Sequence, residues 1–230
     1  MKAIQFDIEG NWGHFRKTET NNNPLSHDFI TKTALIGMIG AVLGIERKAM
    51  KEVFPILSED LAYGIRIKND VTKQSWGFTL RSVNDAFAKS PKQMEFIRNP
   101  SYSVMLGLRN ERSEETFSSF VKSVENSNAC YTPILGLHNC PAELIFKEIG
   151  QLEYKDNGEF ETYGFVSNKH KPSLKGLSRL GFDRIPTFQN NDFWNLPDKY
   201  VQVIYHSNNN CLSVSGEHYI FNNNSKWFLI

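Results

Sequence analysis

Apolar and polar positions alternate along Lys2–Glu9, with Ile4, Phe6 and Ile8 on one face. That period of two predicts a strand with one buried side. Residues 10–32 break the pattern as a long polar connection, and its middle, GHFRKTETNNNPL (13–25), is basic and Asn-rich. Compact folds usually cross such gaps in roughly 4–6 residues, so the length itself asks for a reason. Periodicity then turns helical. Thr33 is expected to cap a helix whose broad apolar face is Leu35, Ile36, Met38, Ile39, Val42 and Leu43. Gly37, Gly40 and Gly44 share a side, and since each costs about 1 kcal/mol in a helix, close backbone packing is the expected return.

A second amphipathic segment, Lys48–Leu57, is expected to end near Pro55, and LAYGIRIK (61–68) alternates as a strand. Residues 75–108 are expected to form a long projecting hairpin. Its arms are Gly77–Val83 and Gln93–Leu108, its tip lies around Asn84–Pro91, and Pro100 marks a bulge or edge. Ser113–Val124 reads as a helix with Glu114 and Glu115 favourably placed in its first turn. The turn TPILGLHNCPA leads into a strand over Ala142–Ile149. The order β-α-β-β-α-β is the ferredoxin-like arrangement, an α+β fold shared by RNA-recognition modules. After residue 150 short strand candidates follow at Tyr163–Ser167, Tyr200–His206, Leu212–Ser215 and Trp227–Ile230, between Asn- and Lys-rich turns. The expected organisation is therefore a ferredoxin-like domain over 1–149, including the hairpin, and a β-rich extension over 150–230.

Composition narrows the class. With 40% apolar and 22% charged residues in 230, the chain reads as globular. Cys130, Cys140 and Cys211 form no CxxC pair, which speaks for small thiols in a reducing compartment and against a zinc site. The opening MKAIQFDIEG turns acidic before any apolar signal core forms. The apolar run 34–45 is shorter than the ~20 residues a membrane span needs, so a cytoplasmic protein without membrane contact is expected. Neither GxxxxGK[ST] nor HExxH occurs, and no cofactor is expected. The net charge of +1 conceals asymmetry. Residues 66–112 hold nine Lys/Arg against Asp70, Asp85, Glu95 and Glu111, and residues 167–184 hold five against Asp183. That distribution suits a polyanion on one face and a different partner on another.

Three stretches carry a family pattern in their order and spacing: FDIEGNWGHFRKTETNNNPLSHDFITKTALIGMIGAVLG; LRSVND followed by KQMEFIRNPSYSVML; and YTPILGLHNCPAEL. Together they resemble the Cas-five family of CRISPR-associated RAMP proteins, in the form found in type I-B Cascade complexes. The resemblance covers residues 2–149 well and the rest loosely. It implies a subunit in antiviral defence that grips the 5′ handle of crRNA at one end of the complex. It also implies that the hairpin acts as a thumb against the backbone subunit, with the large subunit nearby. Most members of the family leave repeat cleavage to a separate nuclease, while the type I-C branch processes the precursor itself.

An RNA handle is single-stranded and asks for phosphate contacts, stacking surfaces and polar donors. His14, Arg16 and Lys17 lie just past a strand end, and Thr18, Thr20 and Asn21 add short polar groups. Lys32 and Thr33 sit at a helix start, where free N–H groups favour an anion. On the hairpin the candidates are Arg81, Lys92, Gln93 and Arg98, with Tyr102 to stack a base. Arg109 and Arg112 are candidate phosphate clamps, and His138 in PILGLH a candidate base reader. For the basic stretch 167–184 the alternatives are guide RNA, the large subunit and target DNA near its PAM-proximal end. The rival function is a metal-independent endoribonuclease processing pre-crRNA repeats, for which His14, His27, Lys17, Tyr102 and His138 supply acid–base groups without any spacing that unites them. A protein–protein adaptor is the third class.

Overall fold

A computed structural model describes residues 1–81, 89–173, 179–190, 196–208 and 210–230. β1 (Lys2–Glu9) alternates as its sequence demands, burying Ile4, Phe6 and Ile8 completely. After the two-residue β2 (Trp12–Gly13) and the long connection comes α1 (Lys32–Leu43). Its cap is Thr31, not Thr33: Thr31 keeps an extended backbone (ψ 161°) and its hydroxyl accepts from Ala34 N–H at 3.2 Å. Of the α1 glycines, Gly40 meets the Met50 side chain of α2 (Arg47–Asp60), whereas Gly37 faces open space. Pro55 lies inside α2 instead of ending it. Burial of Met50, Phe54 and Leu57 carries the helix past the hydrogen bond that proline forgoes.

β3 (Leu61–Ile67) leads into a hairpin of β4 (Thr72–Arg81) and β5 (Lys89–Arg98), paired from Thr72↔Arg98 to Arg81↔Lys89. The expected tip falls largely on 82–88, outside the described residues. The hairpin is shorter than expected at its far side. Asn99 (φ 46°) and Pro100 turn the chain, and β6 (Ser101–Leu108) leaves the thumb to become a central strand. The reason is composition: Tyr102–Leu108 is buried on both faces, which a projecting arm cannot provide. α3 (Glu114–Glu125) buries Phe117, Phe120, Val121 and Val124, and β7 (Glu143–Lys155) follows.

β7-β1-β6-β3 are neighbours in that order and wholly antiparallel, which is the ferredoxin-like sheet. The helices cover one face. In the RNA-recognition modules that share this order, the other face is open and aromatic. Here β1 presents Ala3, Gln5, Asp7 and Glu9 to it. Ala3 is sealed with Ala62 and Met105 under Leu152, Phe221, Trp227 and Leu229. Asp7 takes ion pairs from Lys68 (2.6 Å) and Lys147 (3.2 Å). This face is half covered and half ion-paired, unlike the open aromatic face of those modules.

The remaining strands are β8 (Glu159–Thr162), β9 (Val166–Ser167), β10 (Lys171–Ser173), β11 (Leu180–Phe188), β12 (Lys199–His206), β13 (Leu212–Ser215), β14 (His218–Phe221) and β15 (Ser225–Trp227). They form two three-stranded sheets, β10-β13-β8 and β11-β12-β9, while β14 and β15 return to extend the main sheet beyond β7. The division expected near residue 150 falls inside β7, whose thirteen residues pair first with β1 and then with β14. No helix of the described residues is long and apolar enough to cross a membrane.

Candidate nucleic-acid interface

The long connection after β2 is a strap tied on both sides. Toward the thumb, Lys73 Nζ pairs with Asp28 (2.8 Å) and Glu95 (3.0 Å) and donates to Ser26 O at 2.6 Å. Glu95 also accepts from Ser26 N–H at 3.0 Å, and Lys92 donates to Asn22 Oδ1 at 2.6 Å. Toward β11 and β12, Asp183 takes His27 Nδ1 at 2.9 Å and Lys17 Nζ at 3.2 Å. Tyr205 OH donates to Asp28 Oδ2 at 2.8 Å, and Thr18 Oγ1 lies 3.1 Å from Tyr200 OH. Burial works against the Asp183 carboxylate, but the His27 hydrogen bond and the charges of His27 and Lys17 bring its pKa down to about 2.

His14 sits where strap, thumb and the 131–142 turn meet. Its backbone N–H donates to Leu135 O at 2.9 Å. Gly136 (φ 89°) passes so close that a Cβ there would lie 1.9 Å from His14 O, so only glycine fits. The His14 ring is 3% exposed, and Nδ1 lies 2.6 Å from Glu95 O. A carbonyl oxygen only accepts, so Nδ1 carries the proton and Nε2 is left with a lone pair. That Nε2 has no hydrogen-bond partner among the described residues. Burial first, opposed by the Glu95 carbonyl, pushes the His14 pKa below its ordinary value, which favours the neutral ring.

His14 lines a cleft of about 460 Å³ together with Arg16, Thr18, Thr33 and the Gly136–Leu137 turn. Four candidate residues far apart in function but local in sequence thus converge, two from the strap, one from its start and one from α1. Arg16 is exposed, its guanidinium resting on Thr20 O at 3.1 Å. Lys17 is turned away to Asp183, and Thr20 Oγ1 donates to Lys17 O at 2.7 Å, closing the strap's turn. Asn21 is exposed at its tip.

The other candidates fall elsewhere. Tyr102 is 1% exposed, donates to Asp28 O at 2.9 Å and is core, so its ring offers no stacking surface. Arg112 is held by Asp60 (2.7 Å) and Glu59 (2.9 Å) and is no free clamp. Lys92 is spoken for by Asn22, while Gln93 and Arg98 are exposed on β5 and Arg81 ends β4 opposite Lys89. His138 is exposed beside the cleft's turn. Lys32 and Arg109 line a second cleft, of about 750 Å³, between the start of α1, β11, β12 and residues 228–230. The partners that sequence reading missed are Lys73, Asp183, Tyr200 and Tyr205. Their roles depend on pairings up to 182 residues apart, for which local pattern carries no signal.

The profile of the family described as CRISPR-associated protein (Cas_Cas5) matches residues 3–166, from β1 through the strap and thumb to β9. No curated protein matches the chain. Among solved structures, a CRISPR protein from Archaeoglobus fulgidus is similar with a TM-score of 0.63 at 15% identity, over 99% of this chain and 98% of that one. A chain of a CRISPR RNA-guided surveillance complex is similar with a TM-score of 0.50 at 10% identity, over 94% and 91%. At such identities the likeness is one of fold, and it extends through the strands beyond residue 166. With its profile match spanning most of its length, the chain belongs to the CRISPR-associated protein (Cas_Cas5) family.

Proposed function

We propose that this chain is a non-catalytic subunit of a type I-B Cascade effector complex that holds the 5′ handle of crRNA and bridges the backbone and large subunits. Family membership supports a place in a CRISPR effector complex, and the shared fold with a chain of an RNA-guided complex agrees with it. The observation that carries the RNA reading is the His14 cleft. A buried acceptor, Nε2, stands without a partner among the described residues, close to the exposed Arg16 and to Thr18 and Thr33 of the cleft. A phosphate for Arg16 and a 2′-OH for the hydroxyls of Thr18 and Thr33 suit that set, and the 2′-OH is what separates RNA from DNA. The thumb, anchored on β2 by Trp12 and Trp76 (ring centroids 4.5 Å apart) and by Phe96, is the surface assigned to the backbone subunit.

The test is binding of a repeat-derived 5′-handle RNA and its DNA counterpart at several salt concentrations. RNA should be preferred, and log affinity should fall steeply with log salt, because several phosphates are contacted. A flat slope, or equal binding of DNA and RNA, rejects the reading in favour of an adaptor.

The same His14 favours one second reading, a metal-independent endoribonuclease. A neutral imidazole whose Nε2 keeps its lone pair has the chemistry to take a 2′-OH proton, provided that substrate binding opens the buried ring. Repeat RNA incubated with purified protein in EDTA separates the two: a product ending in a 2′,3′-cyclic phosphate makes the chain an enzyme.

A further inference from the structure

The two long strands of the thumb differ in what their outer edges meet. At β5, Glu95 N–H donates to Pro24 O (3.0 Å) and Asn99 N–H, just past the strand, to Asn11 O (2.8 Å). Odd-numbered residues of β5 therefore turn their backbone groups toward the strap and β2, and Pro91, which has no N–H to give, sits on that side too. Even-numbered residues of β5 bond β4, through the pairs Gln74↔Phe96, Trp76↔Met94 and Phe78↔Lys92. The odd residues of β4 are left facing outward. Val71, just before β4, obeys the same parity and donates its N–H to Ser207 O at 3.0 Å. Beyond it Lys73, Ser75, Gly77 and Thr79 present N–H and C=O to a side where they have no backbone partner among the described residues.

A free edge of this length is normally guarded by charge, proline or a bulge. β4 has no such guard over Thr72–Thr79. Its ladder runs from Thr72↔Arg98 to Arg81↔Lys89 without a register shift, and no proline interrupts it. Lys73, the one charge in that stretch, is turned away to Asp28 and Glu95. Ser75, Gly77 and Thr79 are exposed, and a Cβ on Gly77 would meet nothing within 4 Å. Glycine inside a strand weakens it and lets another backbone come close. On the opposite face Phe78 stands 38% exposed, beside the half-buried Trp76 and Met94.

We propose that the β4 edge receives an extended segment of a neighbouring protein subunit, which adds a fourth strand to the sheet β2-β5-β4. Donors and acceptors that alternate along an extended edge are complemented by another extended backbone; a sugar–phosphate chain carries no such ladder. In an antiparallel pairing, the incoming residues opposite Trp76 and Phe78 occupy the closely spaced positions where side chains touch, so apolar residues suit them. Those opposite Ser75, Gly77 and Thr79 share the hydrogen bonds. Lys89 and Arg98, exposed at the two ends of β5, favour acidic flanks on the incoming segment. This docking rests on the reading of the chain as one subunit of a complex, and it names the edge and the chemistry that hold the thumb there.

Residue-resolved amide exchange reads the added ladder, on the isolated chain and on the assembled complex purified through a tag on this chain. In the isolated chain the amides of Ser75, Gly77 and Thr79 should exchange fast and those of Trp76 and Phe78 slowly. In the complex the first three should slow at least about tenfold and the other two stay as they were, an alternation that side-chain packing alone does not produce. Ser75→Pro and Thr79→Pro each delete an outward N–H and spare the bonds to β5, so both are expected to fold with a cooperative melt. Co-expressed with the wild type, each should enter the complex about tenfold less. The exchange pattern needs no variant and decides alone where a proline variant fails to fold. Ser75, Gly77 and Thr79 amides that stay fast in the complex, or folded proline variants that compete equally, overturn the proposal and leave the subunit reading standing. A chain that assembles with no protein subunit removes both. Slowing that appears on concentrating the isolated chain makes the occupant a second copy, and slowing on adding handle RNA to it makes the occupant nucleic acid; either result rejects a neighbouring subunit.

Discussion

Lys17 Nζ lies 3.2 Å from Asp183 Oδ2, and the same carboxylate holds His27 Nδ1 at 2.9 Å. One acid on β11 therefore anchors the strap at two points, joining residues some 160 positions apart in the chain. Asp183 is 4% exposed at its side chain, so removing its charge leaves the strap's cations uncompensated. Asp183→Asn is expected to destabilise the protein by about 3–5 kcal/mol, the range for removing one partner of a buried pair. Urea unfolding gives the loss, and hydrogen exchange should quicken over residues 13–28. Unchanged exchange there would mean that the thumb contacts alone hold the strap.

The same carboxylate sets an acid limit. Its pKa is depressed from 3.8 to about 2, so the folded state holds the charged form more tightly than the unfolded chain does. Its contribution is present above pH 4 and is lost as pH falls toward 2. Acid titration of the wild type should show this loss, and Asp183→Asn should flatten that part of the curve.

Lys32 acts with the opposite sign. Its folded pKa of about 7 lies below the ordinary 10.5, so between those values the unfolded chain binds the extra proton and stability from this group rises with pH. Lys32→Met is expected to stabilise the protein at pH 7 by a few kcal/mol. The gain should shrink steadily toward pH 10. Thermal melts at pH 7, 8.5 and 10 measure it, and a pH-independent gain would show that Lys32 is charged throughout.

Arg16 is the clean probe of the RNA reading. Its side chain is exposed and, among the described residues, bonded to the carbonyl of Thr20, so Arg16→Ala should change stability by less than about 0.5 kcal/mol. Handle RNA binding should weaken, with the salt slope reduced by roughly one phosphate. Lys17→Ala is a poorer probe, because it also releases the Asp183 anchor.

Tyr102 offers the control. Its ring is core and its hydroxyl is bonded to Asp28 O, so Tyr102→Ala is expected to cost about 3–5 kcal/mol, as for other large-to-small core changes. Tyr102→Phe should remain folded and bind RNA as the wild type does. Loss of RNA binding in a folded Tyr102→Phe would place that hydroxyl in the site after all.

Period-two and helical patterns were enough to place β1, α1, β3, α3 and the start of β7, and with them the ferredoxin-like order. These elements are defined by which residues must leave water, and that is a local property. The thumb's far limit was harder to see: β6 is an apolar run equally compatible with a projecting arm or a central strand until its two neighbours are known. Tyr102 was misread for the same reason. An aromatic in a strand is exposed or buried according to what lies opposite, and opposite it are the strap and Ile8.

Along the sequence GHFRKTETNNNPL reads as a long, basic, Asn-rich connection that carries candidate RNA contacts. The sequence by itself determined that this stretch could form neither helix nor sheet core, and that its charges had to be hydrated or paired. Tertiary structure alone decided the partners. Lys73 and Glu95 from the thumb and Asp183, Tyr200 and Tyr205 from the last strands tie it down. The strap is long because it spans from thumb to C-terminal sheet, and that span brings His14 and Arg16 to the rim of one cleft. Polar groups find such partners through space, at about 3 Å across 47 to 182 residues of chain, and no window along the sequence reaches that far.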